Sequence, residues 1–305
     1  MKNNLHPRLA ALVSFLLVGW LSDSCQSSRS ATSSRMLRFN YENGKGYDYE
    51  MEMLFEQKIL ETPVKIGMNT YYSIDVQADD GNVKTLAARY ERFKMDMDMV
   101  GMKLNVDTED PVDTAGFAGD KLAMLGRVFR AVKGKSFEMK VDGEGKVLEV
   151  KGFKEMTESI VSSLGLDPEK ERETREKMKQ QFGQQFNDQK VREQFERFFY
   201  IFPAKEVKAG DSWKKSSHVS GLFSGNLNST YTVTEMEGDM VIIGEKTRIV
   251  SDDENGETLG EQTGTLVVDS RSGLVVKADL QLDMTVAGSL SIPVKIKTII
   301  RGKAR

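Results

Sequence analysis

Side chains alternate between apolar and polar along most of this chain, and a period of two can be satisfied only by strands with one face buried. From Tyr47 to Phe55, the residues Tyr47, Tyr49, Met51 and Met53 share one face, and Asp48, Glu50 and Glu52 share the other. Met95-Asp96-Met97-Asp98-Met99 alternates strictly. Further strands are expected around 70–77 and 83–99, as a hairpin over 137–150, and then almost without break from Val207 to the C-terminus. Asp79-Asp80-Gly81, Asp142-Gly143-Glu144-Gly145, Glu237-Gly238-Asp239 and Arg271-Ser272-Gly273 supply the turns between them.

The period changes to that of a helix in two places. Leu122, Leu125, Val128, Phe129 and Val132 form one stripe within 118–132, ahead of Gly134. The second place is 153–203, with stripes Phe153, Met156, Ile160, Val161, Leu164 and later Val191, Phe195, Phe198, Phe199. Asp167-Pro168 reads as a cap followed by proline in the first helical turn. The densely charged 169–181 between the stripes reads as a solvated helix face, and Phe202-Pro203 closes the last helix.

The expected class is therefore mainly β with a helical insert and a helical linker (α+β). Its core is a large curved antiparallel sheet or half-barrel. Two halves resemble each other: Tyr72 to Val83 matches Tyr231 to Val241, and the hairpin Met139 to Val147 matches Leu266 to Val275. The organisation expected is a leader over 1–24, a tether over 25–36, a β half with one helix over 37–152, a helical linker over 153–203 and a second β half over 204–305. One continuous sheet and two β domains joined by helices both satisfy this pattern.

The N-terminus carries a targeting signal. Lys2, His6 and Arg8 precede an apolar run from Leu9 to Leu21, which is shorter than the roughly 18–20 residues a spanning helix needs. Cys25, the single cysteine, follows Ser22-Asp23-Ser24 and precedes a serine-rich stretch. This resembles the lipobox of bacterial lipoproteins, though Ser22 stands where an aliphatic residue is usual. The resemblance implies lipidation of Cys25 and a membrane attachment through that lipid. Gln26 in the next position implies the outer membrane. The other reading is a plain secretory signal with an incidental cysteine.

The hairpin Val141-Asp142-Gly143-Glu144-Gly145-Lys146-Val147 up to Gly152, Phe202-Pro203, and Val207 to Trp213 (VKAGDSW) resemble a family of uncharacterised exported proteins from Bacteroidetes-type bacteria, a domain of unknown function. The resemblance implies an envelope location and carries over neither a catalytic residue nor a ligand.

Composition narrows the chemistry. A net charge of −3 with no basic stripe argues against a nucleic-acid partner. Two histidines and one cysteine do not supply a zinc set, so no metal or other cofactor is expected. His218 reads as an exposed strand histidine, and no nucleophile elbow accompanies it. The expectation is a protein that is not an enzyme. Sixteen methionines are many, and thioether side chains suit adaptable apolar sites. Met95, Met97, Met99 and Met102, with Phe195 and Phe199, are the candidate lining of an apolar-ligand site. Two functions follow: an envelope lipoprotein holding an apolar ligand or lipid between sheet and helices, or a non-catalytic structural module docking another envelope protein. If Cys25 carries the anchor, Cys25→Ser moves the protein from the membrane to the soluble fraction on cell fractionation; unchanged partitioning contradicts it.

Overall fold

Strands with one apolar face pair until that face is covered, and in the computed structural model this continues through almost the whole chain. The structure describes residues 34–59, 62–99, 102–110, 120–164, 169, 172–185, 187–220, 224–252, 257–286 and 292–305. The leader, Cys25, most of the expected tether and Asp167-Pro168 lie outside the described residues. The strands are β1 (Arg35–Leu37), β2 (Gly46–Ile59), β3 (Thr62–Asp79), β4 (Val83–Met99), β5 (Met102–Asp107), β6 (Ser136–Asp142) and β7 (Val147–Lys151), then β8 (Lys205–Val207), β9 (Ser212–Val219), β10 (Gly225–Glu237), β11 (Met240–Ser251), β12 (Thr258–Asp269), β13 (Leu274–Val286) and β14 (Ile292–Ala304). The helices are α1 (Asp120–Val132), α2 (Phe153–Ser163), α3 (Arg172–Gln185) and α4 (Asp188–Phe199).

Twelve strands form one antiparallel curved sheet in the order β7-β6-β4-β3-β2-β14-β13-β12-β11-β10-β9, with β5 on the far half of β4. The two halves merge because the last strand returns to the first long one, β14 pairing with β2 from Val294↔Gln57 to Ala304↔Tyr47. Sequence alternation becomes burial alternation: on β11 Val241, Ile243, Glu245, Thr247 and Ile249 are buried and the residues between them are more exposed. The related hairpins share their turn chemistry. Asp142 accepts from Glu144 N–H (2.9 Å), and Asp269 accepts from Arg271 N–H (3.1 Å).

One end of the sheet is sealed. β1 pairs with β8, and the chain after β1 lies across the turns: Phe39 N–H donates to Gly143 O (2.8 Å), and Asn40 N–H to Ser272 O (2.9 Å). Leu37, Phe39 and Tyr41 are buried there, and Tyr41 stacks on Tyr47 at 3.8 Å. Arg35 and Met36, within the expected tether, are thus part of a strand.

The stretch read as a linker does more than connect. α4 contacts both edge strands, β7 and β9, and so occupies the gap between the two edges of the sheet. Behind it, Phe202 N–H donates to Glu144 O (3.4 Å), Trp213 Nε1 donates to Ile201 O (2.8 Å), and Lys215 pairs with Glu144 across the gap. Gly145 makes this closure possible. Its φ is +83°, and a Cβ there would lie 1.6 Å from Phe199 O. Gly44 also has positive φ (+76°) but nothing within 4 Å of a Cβ. Gly44→Ala should therefore cost about 1 kcal/mol, the left-handed penalty alone, whereas Gly145→Ala should cost roughly 2–4 kcal/mol because the α4 terminus must also move. Urea unfolding followed by circular dichroism distinguishes them; equal losses would contradict the closure.

Candidate ligand cavity between the sheet and the helices

On the N-terminal half, α1 and α2 lie over the inner face of β2, β3 and β4 without filling the space beneath them. The cavity measures about 390 Å³. Its floor is a methionine strip set by register, Met51 opposite Thr70 and Met53 opposite Met68. α1 contributes Val128, Phe129 and Val132; α2 contributes Phe153, Met156, Thr157 and Ile160. Phe129 stacks on Phe93 of β4 at 4.0 Å and 14°. That ring-on-ring contact holds α1 one aromatic layer above the sheet and keeps the methionine floor from being covered.

The polar groups in this space are neutral or neutralised. Tyr72 and Tyr90 are 5.0 Å apart by ring centroid. Burial pushes the Tyr72 phenol up to about 12, against hydrogen bonds from Tyr90, Thr70 and Gln194, and burial with its Tyr72 contact also pushes Tyr90 well up. Two cations border the cavity, each with a carboxylate. Arg92 grips Asp107 with two bonds (3.0 and 2.6 Å), and Lys133 meets Glu109 at 2.6 Å. The Arg92 pair, with further help from Glu109 N–H and Lys94, holds Asp107 far below the usual carboxylate range. The geometry suits an uncharged, flexible chain bordered by polar groups.

The residues expected to line a site are distributed as follows. Met95 and Met97 are half-buried on β4, opposite Met68 and Ile66 of β3 and Val106 and Leu104 of β5. They lie on the same sheet face as the cavity floor but farther along it, outside the cavity's lining. Met99 and Met102 pair where β4 meets β5, and their side chains lie outside the described residues. Phe195 and Phe199 are buried on α4 and line a neighbouring apolar pocket of about 30 Å³, which shares Met51 and Tyr72 with the large cavity. Met68, Phe93 and Phe129 were not anticipated. Among the described residues no group of three or more His, Cys, Asp or Glu side chains is arranged to hold a metal ion, and no helix is long and apolar enough to cross a membrane.

A family model described as "Family of unknown function (DUF6263)" matches residues 81–275, and the chain belongs to that family. No curated protein matches the sequence. A solved structure described as "Lipid-protein interactions in lipovitellin" is 10% identical with a TM-score of 0.50, over 87% of this chain and 26% of that one. The chain therefore spans about a quarter of that protein, and the likeness is one of fold. A DUF1329 family protein from Desulfovibrio piger, 11% identical over 83% of this chain and 85% of its own, has a TM-score of 0.14 and carries no argument.

α4, which roofs the smaller pocket, is latched to the sheet edge by His218 of β9. Its Nε2 lies 2.8 Å from Asp252 and its Nδ1 3.4 Å from the buried Glu193 of α4. The carboxylates sit on opposite ring nitrogens, so they share the imidazolium between them. Ser220 binds Glu193 through both N–H (2.9 Å) and Oγ (2.6 Å). The Asp252 contact, offset by burial and aided by Glu193, raises His218. Burial alone would raise Glu193, but Ser220, Gln189 and His218 outweigh it and lower it. For a raised histidine the stabilisation is complete below its unfolded value of about 6.5 and disappears as pH rises through the folded value. For the lowered carboxylates it is present above about 4 and disappears on acidification. Melting temperature should thus fall on the alkaline side of pH 6.5 in the wild type, and His218→Gln should flatten that limb; parallel curves would contradict the latch.

Proposed function

We propose that this member of a family of unknown function is a non-catalytic, lipid-anchored envelope protein that holds an apolar ligand or lipid between its sheet and helices. The observation that carries the reading is the cavity of about 390 Å³. Ligand sites typically measure about 300–1,000 Å³, with apolar walls and a few placed polar groups. A void of this size left by imperfect packing would be costly, at roughly 20–25 cal/mol per Å³ of empty volume. A ligand that restores the lost contacts removes that cost. The methionine floor supplies polarisable, flexible side chains able to accept chains of differing shape.

Two further facts support the reading. The lipovitellin structure that shares the fold is described by its lipid–protein interactions. The leader and Cys25 follow the order expected of an exported, lipidated protein, with the outer membrane as the site implied by Gln26. In this account the cavity's tyrosines, raised by burial, serve as neutral hydrogen-bonding groups.

The alternative, a structural or protein-docking module, calls for a contiguous exposed apolar patch. Among the described residues the exposed large hydrophobics are Met36, Leu54 and Leu148, carried by β1, β2 and β7, which are not neighbours in either sheet. The cavity, with these exposed residues scattered, favours the ligand reading.

Mass spectrometry of solvent extracts tests it. Protein purified from its native host should release one lipid class at near one molecule per chain. Met68→Trp, which puts a bulky indole on the cavity floor, should lower that yield several-fold in a protein that still unfolds cooperatively. A clean extract from folded wild-type protein would overturn the proposal.

A further inference from the structure

The mostly apolar inner face of the sheet carries one polar strip on its C-terminal half. Register sets Lys215, Ser229, Thr247 and Gln262 side by side across β9 to β12, with Glu245 one inward position away on β11. Ser229, Glu245, Thr247 and Gln262 are buried. Ser229 Oγ and Thr247 Oγ1 are 2.7 Å apart, Thr247 donates to Glu245 Oε1 at 2.6 Å, and Gln262 Nε2 donates to the same oxygen at 2.8 Å. These groups satisfy one another and make this part of the concave face locally polar.

Arg197 of α4 faces that strip. Its side chain lines two spaces: a polar pocket of about 20 Å³ with Ser229, Glu245, Thr247 and Gln262, and the apolar pocket of about 30 Å³ beneath Phe195 and Phe199. Among the described residues no hydrogen bond or ion pair reaches its guanidinium, and Glu245 and Tyr231 act on it only through space. Burial works against the charge on Arg197, and it pushes the Glu245 carboxyl up, so the strip's own negative charge is weakened. A half-buried guanidinium that no protein group engages presents unused donors to the pocket it lines. The apolar pocket abuts the large cavity through Met51 and Tyr72 and abuts the polar pocket through Arg197, so the three spaces follow one another in series.

We propose that Arg197 is the head-group site for a carboxylate-bearing amphiphile, with Thr247 and Gln262 beside it and the ligand's hydrocarbon chain running into the methionine-floored cavity. The small polar pocket selects the head: about 20 Å³ accommodates a group little larger than a water molecule, so a carboxylate fits and a bulky phosphodiester head does not. This deepens the function proposed above and rests on it.

The test uses a fluorescent long-chain fatty acid and its methyl ester, titrated into purified protein stripped of bound lipid on a hydrophobic resin. The acid should bind wild-type protein roughly 10–100-fold more tightly than the ester, the range of a charge-assisted hydrogen bond. In Arg197→Gln, folded by its melting curve, the ratio should fall to near one. Equal affinities in the wild type, or a preference that survives in the folded variant, would overturn the head-group site while leaving the cavity intact. Failure of both probes to bind would overturn the cavity reading itself. The wild-type acid-to-ester ratio needs no substitution, so it decides the matter even if the variant does not fold.

Discussion

A long open sheet leaves two edges unpaired and one apolar face uncovered, and both attract other chains when they remain in water. Here α4 answers both needs. It sits between β7 and β9, the two edges of the sheet, and directs Phe195 and Phe199 into the inner face. The close approach of Phe199 to Gly145, the Lys215–Glu144 pair and the His218 latch fix it there. The sealed end, the smaller pocket and the position of Arg197 all follow from where α4 lies.

With α4 in place, the inner face divides into two walls. The N-terminal strands present methionines and aromatics, and the largely apolar C-terminal strands carry a local strip of hydroxyls, an amide and a carboxyl across β9 to β12. α1 cannot settle onto the methionines, because the Phe93–Phe129 stack intervenes. The open volume is therefore a consequence of one aromatic contact between insert and sheet. Its ionisable groups are phenols kept neutral by burial and cations already paired with Asp107 and Glu109. In the smaller pockets beside it, Arg197 has no hydrogen-bond or ion-pair partner among the described residues.

Much of this was legible in the sequence. Period-two alternation located the strands, apolar stripes located α1, α2 and α4, the dense charge of 169–181 marked α3, and the Asp-to-Gly turns marked the related hairpins. Register was not legible. Alternation shows that Met53, Met68, Met95 and Met97 face one way only within their own strands; the pairing Met53↔Met68↔Met95, and the irregularity between Tyr71 and Tyr72, are set by contacts between distant segments. Met97 was thus a candidate while Met68 was not. β1 leaves no signal in the sequence, because three residues are too few to show a period. His218 looked like a lone strand histidine because its carboxylates are 25 and 34 residues away.

The central claim is that the space between α1, α2 and the sheet exists to be filled. A crystal structure of the protein purified from its own host tests this most directly. The account predicts elongated density lying along Met53, Met68 and the Phe93–Phe129 stack, with the helices held off the sheet as described. Helices collapsed onto β2 to β4, with Phe129 and Met68 interdigitated and no void between them, would contradict it.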